Sequence, residues 1–107
     1  MTQITPPTLQ QWLADVGRKP PLLLDVREPW EYQTCHIAGS VPLPMNAVSA
    51  RAQELDPDAE TVVICHHGAR SLQVALYLEQ NGFSKLYNLQ GGVSAWADQV
   101  EPAMQRY

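Results

Sequence analysis

This 107-residue chain lacks most features that would place it in a specialised class. Its two cysteines are too few for a disulfide-built scaffold, so Cys35 and Cys65 read as reduced thiols. Seven basic residues against eleven acidic ones leave a net charge of −4, with no basic stripe suited to a nucleic-acid backbone. No apolar run approaches bilayer-spanning length, and Met1-Thr2-Gln3-Ile4 lacks the charged-then-apolar pattern of a secretory leader. These absences predict a soluble cytoplasmic protein with no nucleic-acid and no membrane partner. Repeats, low-complexity tracts and dividing linkers are also missing, which predicts one domain over residues 1–107 with its core at about 4–99.

What remains is an ordinary globular balance, 45% hydrophobic and 17% charged. Strand and helix signals alternate about five times. A very short strand ends at Ile4 before Pro6-Pro7. Thr8 is a candidate cap for a helix with Leu9, Trp12, Leu13 and Val16 on its apolar face and Gly17 at its end. Leu22 to Val26 reads as a buried strand, and Pro29 suits the first turn of a short helix over roughly Glu28 to Thr34. A brief strand at Val41-Pro42-Leu43 precedes a helix from Ala47 to Leu55, with Asn46 as its cap. Val62-Val63-Ile64 forms the next strand, and a helix follows from about Arg70 to Asn81 with Leu72, Ala75, Leu76 and Leu78 at helical spacing. Lys85 to Leu89 is the last strand, and Gly91-Gly92 opens a final helix through Trp96. Glu101 to Tyr107 shows no pattern, so the tail 100–107 is expected to fray. This order predicts an α/β fold: a mostly parallel five-stranded sheet with helices on both faces and its site at the carboxyl ends of the strands.

Cys65 is the residue that this arrangement singles out. It follows a doubly buried strand and faces a helix amino terminus, where N–H groups and the helix dipole favour a thiolate. His66, His67, Gly68, Ala69, Arg70 and Ser71 surround it within one turn. Gly68 permits φ > 0, so successive N–H groups can converge on an anion, and Arg70 adds a cation. A buried structural cysteine is the competing reading, but the polar turn favours a nucleophile.

Three segments in this order resemble the rhodanese-type sulfurtransferase family over almost the whole chain. They are Leu24 to Tyr32 with His36 to Ser40, the loop Cys65 to Arg70, and Gly91 to Trp96. The resemblance implies a rhodanese-like fold, a Cys65 persulfide held by the N–H groups of residues 66–71, and no cofactor. It implies a small sulfur donor (thiosulfate or a persulfide) and a cyanide or thiol acceptor, the latter extending to a thioredoxin-like protein. Related phosphatases and arsenate reductases place their arginine six residues after the cysteine. That position here is Ser71, with Arg70 at five, which argues for a sulfur-sized pocket. The rival from another class is a persulfide carrier or regulatory module serving one protein partner.

Other polar residues are read more plainly. His66 and His67 line the pocket mouth or face solvent. A metal set with Cys65, Cys35 and His36 is disfavoured because adjacent side chains on a tight loop diverge and the spacing is wrong. Asp25 and Arg27 read as a partly buried pair bracing neighbouring loops, with Arg27 the better candidate to attract an anionic donor. Cys35 stands where the family more often has glycine. It reads as a substitution in a tolerant surface loop, with a resolving thiol as the alternative. Trp12 and Trp96 are expected in the core, and Trp30 and Tyr32 half exposed.

Overall fold

The five strands are β1 (Thr2–Ile4), β2 (Leu22–Asp25), β3 (Val41–Pro42), β4 (Thr61–Ile64) and β5 (Leu86–Leu89). The computed structural model, which describes all residues from Met1 to Tyr107, pairs them in the order β1-β5-β4-β2-β3, and every pair is parallel. The expectation of a mostly parallel sheet therefore sharpens to a wholly parallel one. Central β4 is buried at all four positions, as its β-branched run requires.

Helices α1 (Pro6–Ala14) and α5 (Gly92–Gln99) cover one face of the sheet, while α3 (Val48–Arg51) and α4 (Ala69–Gln80) cover the other. Helix α2 (Pro29–Thr34) lies beyond the end of β2. Alternation along β4 sends Val62 and Ile64 into the cluster of Leu9, Trp12, Val93 and Trp96. Val63 and Cys65 go to the opposite cluster, with Val26, Leu43, Val74 and Leu78. Trp12 and Trp96 are thus core anchors as expected.

Four local expectations are corrected. Helix α1 starts earlier than Thr8: Thr5 is its cap, accepting from the Thr8 N–H at 3.3 Å, and both prolines occupy the first turn. Pro6 and Pro7 tolerate that place because first-turn N–H groups have no helical partner. The helix also stops at Ala14, leaving Val16 fully exposed beyond it. The helix expected over Ala47 to Leu55 is broken into 3₁₀ turns at Met45–Ala47 and Ala52–Glu54 around α3, in which only Val48 is buried. With so narrow an apolar stripe, little packing holds a longer helix. On α4 the buried stripe is Ser71, Val74, Ala75 and Leu78, and Leu76 is 43% exposed because it falls off that i, i+3, i+4, i+7 row.

The tail is the largest correction. Val100 and Glu101 N–H groups both bond Trp96 O, Met104 is buried, and Tyr107 returns to the carboxyl edge of the sheet. Long-range contacts order a segment that has no periodicity of its own. No helix is long and apolar enough to cross a membrane.

Candidate active site

Cys65 leaves the end of β4 with its side chain 1% exposed, at the base of the turn that enters α4. Gly68 takes φ +104°, a left-handed conformation that turns its N–H onto Cys65 Sγ at 3.0 Å. The first helical bond of α4 is Leu72 N–H to Gly68 O, so the N–H groups of Ala69, Arg70 and Ser71 precede the ladder and remain available. Ser71 Oγ lies 3.2 Å from the sulfur and also donates to Asn88 Oδ1. One hydroxyl proton cannot serve both. While it points to Asn88, the Cys65 thiol donates to Ser71, and on ionisation the hydroxyl can turn to the sulfur.

The far side of the loop is clamped by α5. Val93 N–H donates to Cys65 O at 2.9 Å and Ser94 N–H to His66 O at 3.0 Å. Gly92 is required there, because a Cβ would collide with the carbonyls of Cys65 and His66 and φ is +60°. Asn88 of β5 adds Nδ2 bonds to Gly68 O and Gln3 Oε1. Asn88 was missed in the sequence; its only signal is a polar residue inside an apolar strand.

Arg70 does not point a free charge at the sulfur. Its guanidinium forms two bonds to Glu31 of α2, at 2.6 and 2.9 Å. The buried Glu31 carboxylate also accepts from Glu28 N–H and from Tyr107 Oη at 2.7 Å. Arg70 above all, helped by these other donors, holds Glu31 down at about 2. In the sequence Glu31 is simply one residue of the Leu24 to Tyr32 segment, with no role of its own. The signal that could have found it is the Glu28-Pro-Trp-Glu31 capping box, in which the carboxylate reaches back to the Glu28 N–H.

Asp25 and Arg27 form a second fork, with Nε at 3.0 Å from Oδ1 and Nη2 at 2.8 Å from Oδ2. The pair is fully rather than partly buried. Arg27 also donates to Cys35 O at 2.6 Å and Tyr107 Oη at 2.9 Å, so it faces inward and meets no entering anion. Tyr107 therefore joins the two ion pairs, accepting from Arg27 and donating to Glu31. Burial first, and the bond to Glu31 as well, push its phenol up to about 12.

The histidines lie on the α5 side. His66 stacks on Tyr107 at 4.2 Å and meets the tilted ring of His67 at 3.9 Å, so these adjacent side chains converge rather than diverge, and burial lowers the His66 pKa. Cys35, His66, His67 and Tyr107 line a cavity of about 170 Å³. Cys35 is half buried and packs on the core, which is a more constrained place than a tolerant surface loop. His36 stacks on Tyr32, and Trp30 is 55% exposed. No three His, Cys, Asp or Glu side chains gather at metal-binding spacing.

A model of the rhodanese-like domain matches residues 5–99. The chain is 38% identical over 97 residues to a sulfurtransferase of Allochromatium vinosum, covering 91% of this chain and 89% of that protein. It is 40% identical over 91 residues to the thiosulfate sulfurtransferase GlpE of Pseudomonas fluorescens, covering 85% and 81%. A Staphylococcus saprophyticus crystal structure superposes with a TM-score of 0.84 at 32% identity, covering 94% of this chain and 97% of that one. With a cysteine-bearing loop at the carboxyl edge of an all-parallel sheet and this similarity over nearly its whole length, the chain belongs to the rhodanese-like sulfurtransferase family.

Proposed function

We propose that residues 1–107 act as one unit and transfer a sulfane sulfur through a persulfide on Cys65. The observation that carries this reading is the Gly68 N–H aimed at Cys65 Sγ, with the free N–H groups of Ala69, Arg70 and Ser71 beyond it. Cys65 thiolate attacks the outer sulfur of thiosulfate or of an organic persulfide. The donor S–S bond breaks, and sulfite or a thiolate leaves with the electron pair. The product is Cys65–S–S⁻, whose terminal sulfur lies among preorganised donors. Cyanide then attacks that sulfur, forming thiocyanate and restoring the thiolate. A thiol acceptor carries the sulfur away as a new persulfide.

Each part of the surrounding structure has a task in this scheme. Helix α5 fixes the loop carbonyls so that the N–H groups point inward. Ser71 can follow the charge on sulfur, and Glu31 holds Arg70 against α2 so that the first turn of α4 keeps its shape. His66 and His67 line the side of the loop and need not act as bases once the thiol is ionised.

Thiocyanate formation from thiosulfate and cyanide should be abolished in Cys65→Ser. Intact-mass measurement after donor treatment should show a gain of one sulfur atom on the wild type and none on the variant. Turnover by Cys65→Ser rejects the proposal. A stable sulfur adduct with no turnover to cyanide or small thiols would instead identify a persulfide carrier.

A further inference from the structure

The charges around Cys65 bear on which donor it meets, given the Cys65 persulfide chemistry proposed above. All five arginines are already ion-paired: Arg18 with Glu60, Arg27 with Asp25, Arg51 with Glu54, Arg70 with Glu31 and Arg106 with Asp98. The two lysines, Lys19 and Lys85, form no ion pair and precede β2 and β5. In a parallel sheet that is the edge opposite Cys65. The active edge therefore holds no unmatched arginine or lysine.

The cleft next to Cys65 is marked by the face on which the sulfur lies and by Val26 and Met45, which line it and pack in the Cys65 cluster. Cys65 packs with Val26 on the α4 side, whereas the cavity at His66 and Tyr107 borders Val93 and Ala97 of the opposite cluster. On the Cys65 side there is a cleft of about 600 Å³ that Arg70 completes. Val26, Pro29, Pro44 and Met45 give it apolar walls. Its other polar residues are Asn46 and Glu28; the Glu28 carboxylate accepts from neutral donors, the Trp30 indole N–H at 2.8 Å and the capping-box Glu31 N–H, and meets no cation. With Arg70 matched by the buried Glu31, the Glu28 carboxylate is left as the one uncompensated charge lining the cleft.

We infer that this cleft selects a singly charged sulfane-sulfur donor with an apolar substituent, of the organic persulfide class, and discriminates against the thiosulfate dianion. The excess carboxylate repels a second negative charge on the donor, and the apolar walls accept an organic group that thiosulfate lacks. Benzenethiosulfonate is a suitable probe, because it offers the same outer sulfur with one negative charge. Attack by Cys65 thiolate breaks its S–S bond, benzenesulfinate leaves with the electron pair, and Cys65–S–S⁻ forms as with thiosulfate.

With cyanide as acceptor, kcat/KM for benzenethiosulfonate should exceed that for thiosulfate by about tenfold or more. Glu28→Gln should narrow this ratio, chiefly through a lower KM for thiosulfate, and added salt should narrow it too. Asn46→Asp, which adds a charge to the same cleft, should widen it, and it serves as the second probe if Glu28→Gln folds poorly. Equal efficiency with both donors in the wild type, or a ratio that neither substitution moves by more than about twofold, overturns the inference. Cys65→Ser keeps the two readings apart. Its turnover with either donor rejects the persulfide chemistry itself, whereas an inactive Cys65→Ser with a flat donor ratio rejects only the charge selection.

Discussion

The two arginine–carboxylate forks at the carboxyl edge have the same chemistry and opposite settings. Asp25 and Arg27 are two residues apart, with side chains 1% and 0% exposed. Glu31 and Arg70 are 39 residues apart, and Arg70 remains 36% exposed while Glu31 is 4% exposed. The first pair is sealed scaffold: Arg27 donors end on Asp25, the Cys35 carbonyl and Tyr107. The second is a latch between α2 and the loop, open to solvent on the arginine side. Burial, not residue type, therefore separates a brace from a part of the site.

The largest contrast is expected from breaking each fork. Arg27→Ala leaves the Asp25 charge buried without a partner and should cost about 3–5 kcal/mol, read by urea unfolding. Arg70→Ala, whose guanidinium is partly in water, should cost clearly less while reducing sulfur transfer. Equal losses of stability would refute the distinction between scaffold and latch.

A pH series sharpens the comparison next. Glu31 is held at about 2 when folded, against an ordinary 4.5. A depressed folded pKa contributes stability that is present above the unfolded value and lost as pH falls through the folded one. The window is therefore roughly pH 5 down to pH 2, with about 3 kcal/mol at stake. Denaturant midpoints for the wild type and Glu31→Gln should converge across that window. A constant gap between the two would remove Glu31 from the acid response.

The smallest effect concerns the bridge between the forks. Tyr107→Phe retains the ring against His66 but loses one bond to Arg27 and one to Glu31, and should cost about 1 kcal/mol. A cycle combining it with Glu31→Gln should show non-additivity, and strict additivity would mean that the phenol does not couple the pairs.

Much of this architecture was readable because it is locally encoded. Val62 to Ile64 could only be a buried strand, Gly68 permitted the turn, and the row from Ser71 to Leu78 carried a helical stripe despite the misplaced Leu76. Pro6 and Pro7 misled because a proline pair can stop a strand or start a helix, and Thr5 decided for the helix. Glu31, Asn88 and Tyr107 were hidden for a different reason. Each is an ordinary polar residue until a distant partner makes it part of the site. The frayed reading of the tail failed in the same way, since its order comes from Arg27, Glu31 and His66.

By itself, the sequence determined the alternation of strands and helices and the delivery of Cys65 into a glycine-bearing turn, because periodicity and backbone freedom act over a few residues. Only the tertiary structure decided where the charges end. Arg70 looked like a cation offered to the sulfur, and packing of α2 against the loop matched it to Glu31 instead. A hydrogen-bond partner is chosen by proximity in the folded state, and the chain brings together residues 39 and 76 positions apart to make that choice.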